Sequence, residues 1–203
     1  RRRGHQAIDW VVDYLASIEQ RPVQSRAQPG DVAASLPLHP PSTGESFDDV
    51  MADLDRVVLP GITHWQHPSW FAFFNSNTSG PSMVADIISS GLAVQGMLWQ
   101  TSPACTEVET RMMDWLVEML GLPESFLSTG SGGGVIQDTA SSATLCALIA
   151  AREQVSDFAV DRGGVQDKMT VYASSEAHSS VEKAVRIAGL GSDQFRHVDL
   201  DED

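Results

Sequence analysis

The sequence predicts an α/β fold, a mostly parallel sheet with helices on its faces, preceded by a helical arm. Two observations carry this reading. From about Lys168 onward short apolar strands alternate with a helix, the pattern of a parallel sheet. Residues 1–80, by contrast, carry helical periodicity, a proline-rich connector and an aromatic cluster. The predicted division is therefore an arm and aromatic segment over 1–80 and an α/β domain over 81–203.

In the arm, Ile8, Val11, Val12, Leu15 and Ile18 recur at helical spacing and predict an amphipathic helix over about Gly4 to Glu19, which needs a partner surface. Residues 21–43 hold five prolines and read as an extended connector. A second helix starts near Ser46, whose hydroxyl and Asp49 make a capping-box-like pair, and it is expected to bury Phe47, Val50, Met51 and Leu54. Trp65, Trp70, Phe71, Phe73 and Phe74 then crowd into ten residues beside His64 and His67. Their period favours an aromatic core strand over a site wall. The two histidines have loose ligand spacing, but packing and capping are the expected roles, and no metal site is expected.

In the second domain, Pro81 to Leu92 reads as a helix. Pro103 at a first helical position opens another through about Leu120, with Val108, Met112, Trp115, Leu116 and Met119 on its expected buried face. Thr139 to Val155 is the next helix. Met169 to Ala173 is a short strand, Ser179 to Ala188 a helix closed by Gly189, and Phe195 to Val198 a second strand. Cys105 and Cys146 each fall inside a predicted helix, without metal-ligand spacing, and read as reduced core thiols.

Composition narrows the function classes. At 203 residues and 42% hydrophobic content the chain can bury a sizeable core. A formal net charge of −14 argues against nucleic acid or an anionic membrane surface as the main partner. Arg1, Arg2 and Arg3 precede an amphipathic pattern rather than an apolar leader, and no apolar run is long enough to span a bilayer, so a cytoplasmic location is the expectation.

One stretch points to chemistry. In TGSGGGVIQDTASS, residues 129–142, four of the first six residues are glycine, and Thr139, Ala140, Ser141 and Ser142 stand where a helix begins. Free amides and the positive end of a helix dipole meet there, as a phosphate requires. The run is neither a Walker A loop nor a dinucleotide fingerprint, which disfavours nucleotides. Taken alone, a glycine run is more often a flexible loop.

HPSWFAFFNS (67–76), MLWQTSPACTEVETRMMDWL (97–116), GGGVIQDTASSATLCALIAAR (132–152) and SSEAHSSVEKA (174–184) resemble, in order, the group II pyridoxal-phosphate-dependent amino-acid decarboxylases, in particular the aromatic-L-amino-acid branch. The resemblance implies a fold-type I pyridoxal-phosphate-dependent transferase-like large domain, of which 81–203 is the first half. It implies that Thr139, Ala140 and Ser141 bind the cofactor phosphate. His178 matches the histidine that stacks on the cofactor ring and acts in catalysis; as a lone residue before a helix it reads as a cap or surface histidine. Trp65, Phe73, Phe74 and Ser76 match substrate-pocket positions, although the family more often has tyrosine at 73 and a proline-threonine pair at 75 and 76. Gln95 and Met97 match a segment that reaches the neighbouring subunit's site, where animal enzymes carry isoleucine and phenylalanine, so a homodimer with a shifted pocket is implied.

The resemblance also implies an aspartate on the cofactor's pyridine nitrogen, a lysine that holds the cofactor covalently, and a tyrosine on a mobile loop. None has a match in these residues; of the two lysines, Lys168 and Lys183, the second matches a family position that is not the anchoring one. The expectation is an N-terminal portion that binds cofactor weakly and does not turn over alone, with the remaining C-terminal part of the enzyme supplied elsewhere, as by a separate chain. The function expected of the whole is decarboxylation of an aromatic L-amino acid to its amine and carbon dioxide. The alternatives are a non-catalytic binding or assembly protein, or a decarboxylase of the same group for an acidic amino acid. The aromatic cluster without a nearby arginine favours the aromatic substrate.

Overall fold

The computed structural model describes residues 1–74, 78–165 and 168–201, in two compact units, 1–93 and 94–203.

In the first unit, α1 (Arg2–Ala16) ends earlier than its periodicity predicts and passes into a 3-10 turn, Ile18–Gln20. The connector contains one short helix, α2 (Asp31–Ala34), within an otherwise irregular path. The side chain of Ser46 caps α3 (Phe47–Asp53), accepting the Asp49 amide at 3.1 Å and donating to the Asp49 carboxylate at 2.7 Å, as expected. The helix continues as a π-turn, Leu54–Val58, into α4 (Leu59–Gly61). Two expected buried faces are corrected in part. Ile18 is buried and Val11, Leu15, Phe47, Met51 and Leu54 are half-buried, but Ile8, Val12 and Val50 are exposed, whereas Val57 and Leu59 are buried. The inner side of α1 is carried by longer side chains at positions 6, 10 and 14: Gln6 donates to Asp48, Trp10 to Asp55, and the Tyr14 hydroxyl lies 2.9 Å from His64 Nδ1. Ser79 and Ser82 form a reciprocal capping box that opens α5 (Gly80–Leu92), with Val84, Ile87, Ile88 and Leu92 exposed along it.

In the second unit, Ser102 caps α6 (Pro103–Met119), with Pro103 as the first helical residue. Cys105, Glu109, Met112, Met113 and Asp114 of α6 are half-buried. The expected face is corrected: Met112 is half-buried but Val108, Trp115, Leu116 and Met119 are exposed, because the loop contacts fall on Glu109, Met113 and Asp114 instead. Thr139 caps α7 (Ala140–Val155), which is followed by the short α8 (Ala159–Gly163). Both cysteines are free, but Cys146 is exposed and Cys105 half-buried, so neither is a core thiol.

The predicted parallel pairing is present as β1 (Val171–Ser174), α9 (Ser180–Ile187) and β2 (Phe195–Val198), with Val171 opposite Phe195 and Ser174 opposite Val198. Gly189, at φ +77°, ends α9. Its amide bonds to Arg186 O and that of Leu190 to Val185 O, the paired bonds of a Schellman cap, with Leu190 folded back on Val185. Val185, Ala188 and Leu190 form the core, packed by Leu148, Ile149, Val165, Met169, Val171 and Phe195. Arg152 on α7 donates to the Ala188 carbonyl and thereby fixes α7 to the end of α9.

Candidate functional site

The glycine run lies along α6. Glu109 Oε1 accepts the Ile136 amide at 2.7 Å; Asp114 accepts the Ser128 amide at 2.8 Å and its hydroxyl at 2.7 Å. These bonds hold the Asp114 carboxyl below the usual carboxylate range. Two of the glycines serve protein packing rather than a ligand. A Cβ on Gly132 would stand 2.1 Å from Ser125 O, and one on Gly134 would stand 3.0 Å from Met113 Cβ. The expected flexible loop is closely packed at these two positions.

At the end of the run Thr139 is extended, at φ −143° and ψ 161°. Its Oγ1 accepts the Ser142 amide at 3.1 Å and lies 2.9 Å from the Ser142 hydroxyl. A helix leaves its first amides without intrahelical acceptors, and Thr139 takes only that of Ser142. The amides of Ala140 and Ser141 therefore point out from the positive end of a 16-residue helix, with Thr139, Ala140 and Ser141 all exposed. Asp138 flanks this turn, its carboxyl held low chiefly by the Ser142 side chain and then by backbone amides.

His178 stands just before α9, which packs on α7. Its Nδ1 accepts the Ser180 amide at 3.2 Å and lies 2.9 Å from the Ser180 hydroxyl. An amide can only donate, so Nδ1 is the acceptor and the neutral ring carries its proton on Nε2. The capping role is present, and the exposed ring has a fixed orientation. Sequence reasoning missed Ser180, as it missed Glu109 and Asp114. Gln95 and Met97 lie exposed in the turn before α6, where the Thr101 hydroxyl holds the Gln95 carbonyl at 2.7 Å.

In the first unit, the aromatic segment is a chain of turns and not a core strand. His67 N–H bonds to His64 O and Trp70 N–H to His67 O, while Phe73 takes φ +61°. Pro68, which has no amide to give a ladder, and these turns break the strand period. Trp65, Trp70 and Phe73 make a three-ring cluster with centroids 5.5 to 6.1 Å apart, and Phe71, Phe73 and Phe74 are exposed. His64 packs in the interior and His67 Nδ1 accepts the Ser69 amide at 3.0 Å, matching the expected packing and capping. Ser76 lies outside the described residues. Among the described residues no His, Cys, Asp and Glu group of three or more could hold a metal, and no helix is long and apolar enough to cross a membrane.

The pyridoxal-dependent decarboxylase conserved domain matches residues 29–203. An aromatic-L-amino-acid decarboxylase of Sus scrofa is 45% identical over 198 residues, covering 94% of this chain and 41% of that protein. The solved Catharanthus roseus tryptophan decarboxylase in complex with L-tryptophan superimposes with a TM-score of 0.89 at 36% identity, covering 98% of this chain and 41% of the other. The Oryza sativa TDC solved with PLP and tryptamine gives a TM-score of 0.89 at 40% identity, again over 98% and 41%. The chain spans about two-fifths of the length of these relatives, and it belongs to the pyridoxal-dependent decarboxylase family.

Proposed function

We propose that this chain carries the phosphate cradle, ring-stacking histidine and part of the substrate pocket of a pyridoxal-phosphate-dependent decarboxylase for aromatic L-amino acids. The observation that carries the reading is the first turn of α7. Two exposed amides without helical acceptors, the hydroxyls of Thr139 and Ser141 beside them and the helix dipole behind make a cradle whose chemistry fits a phosphate. When bound, the cofactor supplies an electron sink for the bond between Cα and the carboxylate.

His178, turned by Ser180 and exposed, offers a flat neutral ring to stack on the cofactor and an Nε2 proton that can meet the substrate carboxylate. Trp65 and Phe73 are stacked 5.8 Å apart and, with Phe74, supply an apolar wall suited to an aromatic side chain. Ser76 is assigned to the pocket by sequence match alone. The assembly proposed is a homodimer whose partner site meets Gln95 and Met97, and the cofactor's covalent anchor is proposed to lie outside these residues.

The test measures carbon dioxide and amine release by the whole enzyme, these residues together with the part that carries the covalent anchor, loaded with pyridoxal phosphate. L-Tryptophan, L-tyrosine and L-phenylalanine are compared with L-glutamate. Release from the aromatic acids, with little from glutamate, is expected. Release from glutamate alone, or from none, contradicts the proposal.

A further inference from the structure

We infer that Glu109 is a positioning residue for the phosphate cradle: its carboxylate holds the Ile136 amide to α6 and so sets where the first turn of α7 presents Ala140 and Ser141. The inference rests on the reading of that turn as a phosphate site. It stands on five contacts within one unit. Glu109 and Asp114, five residues apart on α6 and both half-buried, grip the loop at Ile136 and Ser128, on either side of the glycines. Between those grips Gly134 lies against Met113, and Gly132 against the backbone of Ser125 and Phe126, so the run has little room to shift. Only Gln137 and Asp138 separate Ile136 from the capping Thr139, and Gln137 is itself met by Cys146 Sγ at 3.6 Å.

A carboxylate receiving a backbone N–H makes a short, charge-assisted bond that side-chain packing does not replace. Removal of Glu109 frees Ile136 to bond to water, and the cradle amides then lose their fixed direction while α7 keeps its own cap. Preorganised donors lose affinity when their supporting contacts go. The effect should fall on the ligand's phosphate and not on its ring.

The experiment compares dissociation constants for pyridoxal 5′-phosphate and for pyridoxal in the protein carrying these residues, as wild type, Glu109→Ala, Glu109→Asp and Glu109→Gln. Circular dichroism confirms that each is folded. Glu109→Ala is expected to weaken pyridoxal phosphate about tenfold and leave pyridoxal unchanged. Glu109→Asp, too short by one methylene to reach Ile136, should behave alike and carries the test if the alanine variant does not fold. Glu109→Gln keeps an acceptor oxygen and should restore most of the preference. A wild type that prefers pyridoxal phosphate, with the same preference in the Ala and Asp variants, overturns the role of Glu109 alone. A wild type with no preference overturns the cradle reading, and the inference with it.

Discussion

His64 is 3% exposed, with its Nδ1 2.9 Å from the Tyr14 hydroxyl. Burial raises the Tyr14 pKa, so the hydroxyl that pairs with this imidazole stays protonated. Burial first, then the charges of Arg21 and His67, push the His64 pKa below its usual 6.5. The unfolded chain then binds a proton more readily than the folded one as the medium turns acidic. Stability due to His64 is full above about pH 6.5 and is lost as pH falls from there toward the depressed folded value. Melting temperatures measured from pH 7.5 to 5 should fall on the acid side, and His64→Gln should flatten that slope while lowering the melting temperature at neutral pH. An identical slope in the variant contradicts this account. Since His64 also ties its turn to Val23 through backbone N–H, its packing fixes the base from which Trp65 projects.

Among the elements, the loop between α6 and α7 depends on shape as much as on flexibility. Gly132→Ala would place a methyl carbon 2.1 Å from Ser125 O and 2.7 Å from Phe126 Cα, both backbone atoms. A loss of about 1–3 kcal/mol, read by denaturant unfolding, is expected; a neutral substitution would show that the loop does not lie on Ser125 and Phe126. This contact was not legible in the sequence, where four glycines in six residues read as freedom. Elements whose signals are local were legible: Ser46 as a cap, Thr139 as a helix start, Pro103 as a first helical residue, Gly189 as a stop and the β2 span. The aromatic segment was not, because its density matched a strand while turns through His64, His67 and Trp70 decide its path. Nor were Glu109 and Ile136 legible as a pair, since 27 residues separate them and no periodic pattern links a carboxylate to an amide.

At the scale of the whole molecule, apolar periodicity located helices but not what lies on them. The faces of α5 at Ile87 and Ile88, and of α6 at Trp115 and Met119, remain exposed among these residues. The candidate site was legible to the extent that it rests on single turns: the α7 cap and His178 stand at their expected helix starts. The central claim is that the α7 turn is built for a phosphate, and Ala140→Pro isolates it. Proline is favoured at a first helical position and demands an extended preceding residue, which Thr139 already is, so the helix is retained while one cradle amide is deleted. The decisive measurement is the ratio of the dissociation constants of pyridoxal and pyridoxal 5′-phosphate in wild type and Ala140→Pro. The account predicts a strong wild-type preference for the phosphate that falls about tenfold in the variant; equal ratios in the two proteins would contradict it.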